Sequence, residues 1–137
     1  MRLHPYLFFD GRCDAAIAFY RAALGARQVA RMRFRDAPEP VPVPPEMAEK
    51  VMHAELEIGG ATLLLSDGRG AGGEGFRGFS LTLTVADEAE ADRAFAALAE
   101  DGEVTMPLGK TFFSPRFGMV RDRFGVGWIV LARGDAA

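Results

Sequence analysis

The chain has 137 residues, 49% of them hydrophobic and 26% charged, with a formal net charge of −3. That balance offers no electrostatic footprint for nucleic acid or anionic lipid, and no apolar run approaches the ~20 residues that span a bilayer. One cysteine excludes an intramolecular disulfide and a thiolate-rich zinc site. With no signal-peptide core behind Met1–Tyr6, a reduced, cytoplasmic protein with one hydrophobic core's worth of apolar residues is expected.

Leu3–Phe9, short and aromatic before Asp10-Gly11, reads as a strand. Asp14 then reads as the N-cap of a helix with Ala16, Ile17, Tyr20, Ala23 and Leu24 at helical spacing, stopped by Gly25. Gln28–Phe34 is expected as a second strand, with Val29 and Met32 apolar and Arg31 and Arg33 outward. Five prolines in Asp36–Pro45 exclude helix and central strand, so that stretch is a semi-extended loop.

Val51–Asp67 follows with a clear period of two. Val51, His53, Glu55 and Glu57 fall on one side, and Met52, Ala54, Leu56 and Ile58 on the other. Gly59-Gly60 suits a two-residue hairpin turn, and Ala61–Leu65 returns as a more deeply buried strand. Gly68–Gly78 reads as a linker. Its glycines would also suit a phosphate-cradling loop, but no Lys-Ser/Thr pair and no helix follow.

The pattern then recurs: a strand at Phe79–Val85, a capping box at Asp87–Glu90, and a helix with the stripe Ala91, Ala94, Phe95 and Leu98. Strands at Val104–Leu108, Arg116–Arg121 and Val126–Leu131 follow, the last two joined by a turn at Asp122–Gly125 that Asp122 would hold. Placing Gly60 over Gly125 lays Ala61–Leu65 on Val126–Val130. The expected fold is therefore α+β: two βαβββ modules, residues 1–67 and 79–133 around a linker at 68–78, forming a cupped, mixed β-sheet in one domain. Each helix should cover the apolar sheet face, leaving His53, Glu55 and Glu57 toward a cavity where small molecules bind.

Six stretches carry a resemblance to a known family. They are Pro5–Gly11, Ala16–Tyr20, Leu24–Ala26, His53–Gly60, Leu63–Asp67 and Thr111–Trp128, together spanning most of the chain in order. The sequence resembles the vicinal oxygen chelate superfamily of glyoxalases, bleomycin-resistance proteins and extradiol dioxygenases, and within it the PhnB-like branch, also labelled demethylubiquinone methyltransferase-like. The resemblance implies a small-molecule protein, an enzyme of lyase or isomerase type or a sequestering protein, acting as a homodimer. It also implies a divalent metal held by His, Glu or Gln at positions matching Pro5, Leu65, Ser80 and Ile129, none of which is a strong ligand here. A one-residue shift offers His4 and Ser66.

The residues themselves offer other candidates. His53 and Glu55 share a strand face and could act as acid/base and orienting carboxylate. Asp67 could join them, and His53, Glu55 and His4 would be the ligands of any divalent metal. Tyr6 could donate to a ligand oxygen. Phe112, Arg116 and Trp128 could hold an anionic or aromatic ligand, although such residues also serve as core and solvated surface. Cys13, before a helix N-terminus where a thiolate is favoured, reads as packing because no base accompanies it. No glycine-rich strand-to-helix turn is present for a nucleoside cofactor, so the methyltransferase label has no support in these residues.

Overall fold

Among the described residues, eight strands and two α-helices follow the order expected of a duplicated unit. The computed structural model describes residues 1–68 and 75–134, so most of the glycine-rich linker, residues 69–74, lies outside the described residues. The chain divides into two compact units, Met1–Glu74 and Gly75–Ala137.

The first unit contains β1 (Tyr6–Phe8), α1 (Cys13–Leu24), β2 (Arg27–Arg33), β3 (Val51–Ile58) and β4 (Ala61–Ser66). Its sheet has the order β1-β4-β3-β2, with β1 and β4 parallel and the other neighbours antiparallel. The second contains β5 (Leu81–Val85), α2 (Glu88–Ala99), β6 (Glu103–Gly109), β7 (Phe117–Arg121) and β8 (Gly127–Ala132), in the order β5-β8-β7-β6. These are two mixed four-stranded sheets, each carrying one helix: two βαβββ modules.

The strand register shows the duplication residue by residue. Leu65 lies between Leu7 and Ala54, as Val130 lies between Leu83 and Gly118. The Gly60-on-Gly125 superposition therefore holds. Gly59 and Gly60 both have positive φ, 56° and 83°, as the tight β3–β4 turn requires.

Period-two alternation decides the faces. Leu7, Ala54, Leu56, Leu63 and Leu65 are buried on the helix side, with Cys13, Ala16, Ile17 and Tyr20 of α1 buried as well. In the second unit the stripe Ala91, Ala94, Phe95 and Leu98 is the buried set of α2. Asp87 caps this helix by accepting the Glu90 amide at 2.8 Å, and Gly25 ends α1 with φ 67°.

Three local expectations are corrected. Asp14 is not the α1 cap; Arg12 occupies that position without a side-chain cap bond, and the cap comes from Asp67. Arg33 is half-buried rather than outward, whereas Arg31 is exposed as expected, and both reach Asp14 in the first turn of α1, at 2.8 and 3.0 Å. Val29 and Met32 are exposed too, as are Arg27 and Ala30. This follows from an edge strand with register shifts at Gln28/Ala30 and Met32/Arg33, which break the simple alternation. Val51, finally, is fully buried rather than sharing the open face with His53.

Candidate functional site

The side of the first sheet opposite its helix-facing residues gathers the chemistry. Strand pairing sets Tyr6 beside Leu64 and Leu64 beside Glu55, and the next row runs from Phe8 through Ser66 to the His53 level. The alternation of β1 and β3 thus brings Tyr6, Phe8, His53 and Glu55 to one face. The Tyr6 hydroxyl and His53 Nδ1 are 2.8 Å apart, a hydrogen bond between residues 47 positions apart in sequence. Tyr6 is 39% exposed, so the pair is supported by the sheet yet open to a ligand. Phe8 stacks on Tyr6 with ring centroids 5.0 Å apart and 10° between planes.

Burial pushes the Tyr6 phenol above its ordinary range, and a hydrogen bond with the Ser66 hydroxyl opposes that shift in part. Tyr6 therefore stays protonated through neutral pH and can both accept and donate.

The second module does not repeat this chemistry. By register Thr82 matches Tyr6, Phe117 matches His53 and Met119 matches Glu55. No acid/base group occupies any of those three places.

Other expected residues take different positions. Asp67 is 2% exposed, and its carboxylate accepts the amides of Gly11 (2.9 Å), Cys13 (2.8 Å) and Val51 (2.9 Å). These bonds tie α1 and β3 to the end of β4 and leave little capacity for a ligand, so its geometry is that of a cap. Trp128 is also 2% exposed, with its indole N–H donating to Asp122 at 2.9 Å, which places it in the core of the second unit. Asp122 further accepts the amides of Phe124 and Val126, holding the β7–β8 turn as its sequence position suggests. Burial and the Asp67 and Asp14 carboxylates push the Cys13 thiol far up, so the helix N-terminus that would favour its thiolate already serves Asp67.

Phe112 and Arg116 lie together elsewhere, lining a groove of about 620 Å³ in the second unit. Arg116 is engaged there by Asp92 at 3.2 Å and Glu88 at 3.7 Å. Phe8, Lys110 and Arg133 were not singled out from sequence. Phe8 was accessible through its i, i+2 relation to Tyr6, whereas Lys110 and Arg133 carry no local signal.

The residues do not fit the divalent metal of the resembled family. Among Pro5, Leu65, Ser80 and Ile129 only Ser80 offers a side-chain oxygen, and Leu65 is fully buried. The set His53, Glu55 and His4 is corrected as well: no group of three His, Cys, Asp or Glu side chains among the described residues is placed to share a metal ion. His53 instead has Tyr6 as its neighbour.

Comparison with known proteins agrees with the fold. The family model for the Glyoxalase/Bleomycin resistance protein/Dioxygenase superfamily matches residues 2–130. Protein YjdN of Escherichia coli K12 is 34% identical over 138 residues, covering 95% of this chain and 94% of that protein. The crystal structure of protein PA1353 from Pseudomonas aeruginosa is 44% identical with a TM-score of 0.88, covering 98% of this chain and 99% of that one. A Bacillus cereus PhnB protein, named a putative 3-demethylubiquinone-9 3-methyltransferase, is 28% identical with a TM-score of 0.80, covering 96% and 99%.

Proposed function

The chain belongs to the Glyoxalase/Bleomycin resistance protein/Dioxygenase superfamily, and from that premise we propose that it binds a small organic molecule on the open face of its first sheet and moves a proton there through Tyr6 and His53. The observation that carries this reading is the 2.8 Å Tyr6–His53 hydrogen bond on a face accessible to ligand. A tyrosine hydroxyl backed by an imidazole can pass a proton to a ligand oxygen or accept one from it while the pair remains hydrogen-bonded. Glu55, on the same face, would accept from a ligand hydroxyl or orient His53. No step in this chemistry requires a metal ion.

The name of the Bacillus protein suggests methyl transfer, but the residues do not support it in this chain. The strand-to-helix turns are Phe9–Arg12 and Ala86-Asp87, neither of them glycine-rich in the manner that seats a nucleoside cofactor.

One observation favours a second reading, binding without turnover. The stacked Tyr6 and Phe8 rings present a planar aromatic surface that can hold a flat ligand with no proton transfer. Solvent-deuterium exchange separates the two. A panel of 2-oxo acids and 2-hydroxy ketones is incubated with protein in D2O, and loss of the C–H signal next to the carbonyl is followed by proton NMR. The proton-transfer reading expects exchange with the natural sequence, and at least a ~100-fold slower rate in His53→Ala with ligand binding largely kept. Equal exchange rates in the two proteins would remove His53 from the chemistry. Binding without exchange in either would leave the sequestering reading.

A further inference from the structure

The groove in the second unit has a chemistry of its own, and its lining comes from the second unit alone. We propose that it is a binding site for a small planar aromatic anion, with the anionic group against Lys110 and Arg133 and the ring against Phe112 and Phe113.

The first support is how the aromatic residues are held. Phe112 is 100% exposed and Phe113 52% exposed, on a loop that is not a slack tip. The Thr111 amide donates to the Ser114 carbonyl at 2.8 Å, and the Ser114 amide donates to the Thr111 hydroxyl at 3.0 Å. The buried Ser114 hydroxyl lies 2.6 Å from the carbonyls of both Arg116 and Ala132, fastening the loop to the end of β8. The Phe113 ring meets Phe112 and Phe117 edge-to-face at 5.0 and 5.2 Å. A phenyl ring exposed on a fastened turn keeps its apolar surface in water without the entropy gain of mobility. Covering it with a flat ligand recovers that surface at little ordering cost.

The second support is charge. Of the acids in the groove, Asp87 is occupied by the Glu90 amide and Glu88 lies beside Arg116, which Asp92 also holds. Lys110 and Arg133 line the same groove, and no ion pair joins either to a described residue. Lys110, Arg116 and Arg133 against Asp87 and Glu88 give the groove's lining a formal charge of +1. A volume of about 620 Å³ falls within the range of small-molecule pockets. The anion partner read from sequence, Arg116, is thus replaced by two cations on either side of it.

The experiment is an amide NMR titration of the full chain with benzoate, using benzyl alcohol and inorganic phosphate as comparisons. Benzoate is expected to shift the Phe112, Phe113 and Gly134 amides saturably, with both comparison compounds binding at least about tenfold more weakly. Arg133→Gln and Lys110→Gln are each expected to weaken benzoate about tenfold. Both residues are exposed, so these variants keep the fold. Absent shifts at those amides, unchanged affinity in both variants, or phosphate binding as tightly as benzoate would each overturn the proposal. Sedimentation of Phe112→Ala covers the remaining occupant, because a dimer that this change dissociates would make the groove an interface between copies.

Discussion

The carboxylate of Asp67, just past the end of β4, accepts the backbone amide of Cys13, the first residue of α1, at 2.8 Å across 54 residues of sequence. The same side chain accepts from Gly11 and Val51, so one buried group joins the β1–α1 turn, the start of β3 and the end of β4. Removing it strands buried amides. Asp67→Ala is expected to cost about 3 kcal/mol or more, with Asp67→Asn intermediate because its amide keeps a single acceptor oxygen. Urea unfolding measures this as a fall in midpoint at unchanged slope, and an unchanged midpoint would show that water replaces the carboxylate.

The acid limb of stability should depend on Asp14. The Arg33 guanidinium bonded to it holds its carboxyl below the ordinary range, opposed in part by burial and helped by Arg31. A depressed folded value means that the stabilisation is present above the unfolded value of about 3.9 and is lost as pH falls through the folded one. Arg33→Gln should therefore be less stable than the natural sequence at pH 7. The difference should shrink as pH falls below about 4. A difference independent of pH would point to lost packing of the arginine stem rather than to the ion pair.

Tyr6 gives the opposite sign at alkaline pH. Its folded value is raised, so the stability linked to the neutral phenol is complete below the unfolded value of about 10 and is lost as pH rises through the folded one. Ultraviolet titration should show Tyr6 ionising above an ordinary tyrosine, identified by its absence in Tyr6→Phe. Ser66→Ala should move it higher still, because the Ser66 hydroxyl opposes the shift. A downward move in that variant would contradict the assigned role of Ser66.

Gly118 of β7 packs against Phe95 of α2 and Leu108 of β6. A Cβ there would lie 2.8 Å from Phe95 Cε2 and 2.9 Å from the Leu108 Cα. Gly118→Ala is expected to destabilise by about 1–3 kcal/mol in chemical unfolding, since the Leu108 backbone cannot move aside cheaply. Adding Phe95→Leu should restore part of the loss by removing the ring contact, and full additivity of the two costs would refute that account.

What the sequence determined by itself is whatever short-range periodicity encodes. The β3–β4 hairpin, the four buried residues of α2 and the Gly25 stop are legible because each follows from spacing within about twenty residues, set by helix or strand geometry, and the duplication is legible because that local pattern recurs along the chain. The common face of His53 and Glu55 was legible for the same reason. Tertiary structure decided which side chains meet. Tyr6 reaches His53 only because β1 lies parallel to β4, Asp67 rather than Asp14 caps α1, and Trp128 and Asp67 spend their polar atoms inside the core. It also committed Arg116 to the acids of α2, leaving Lys110 and Arg133 as the cations of the groove. A hydrogen bond or ion pair needs its partner within about 3–4 Å, and the partner arrives from a distant segment through sheet pairing. Side-chain spacing carries no record of that arrival, so the faces can be read from the sequence and the site cannot.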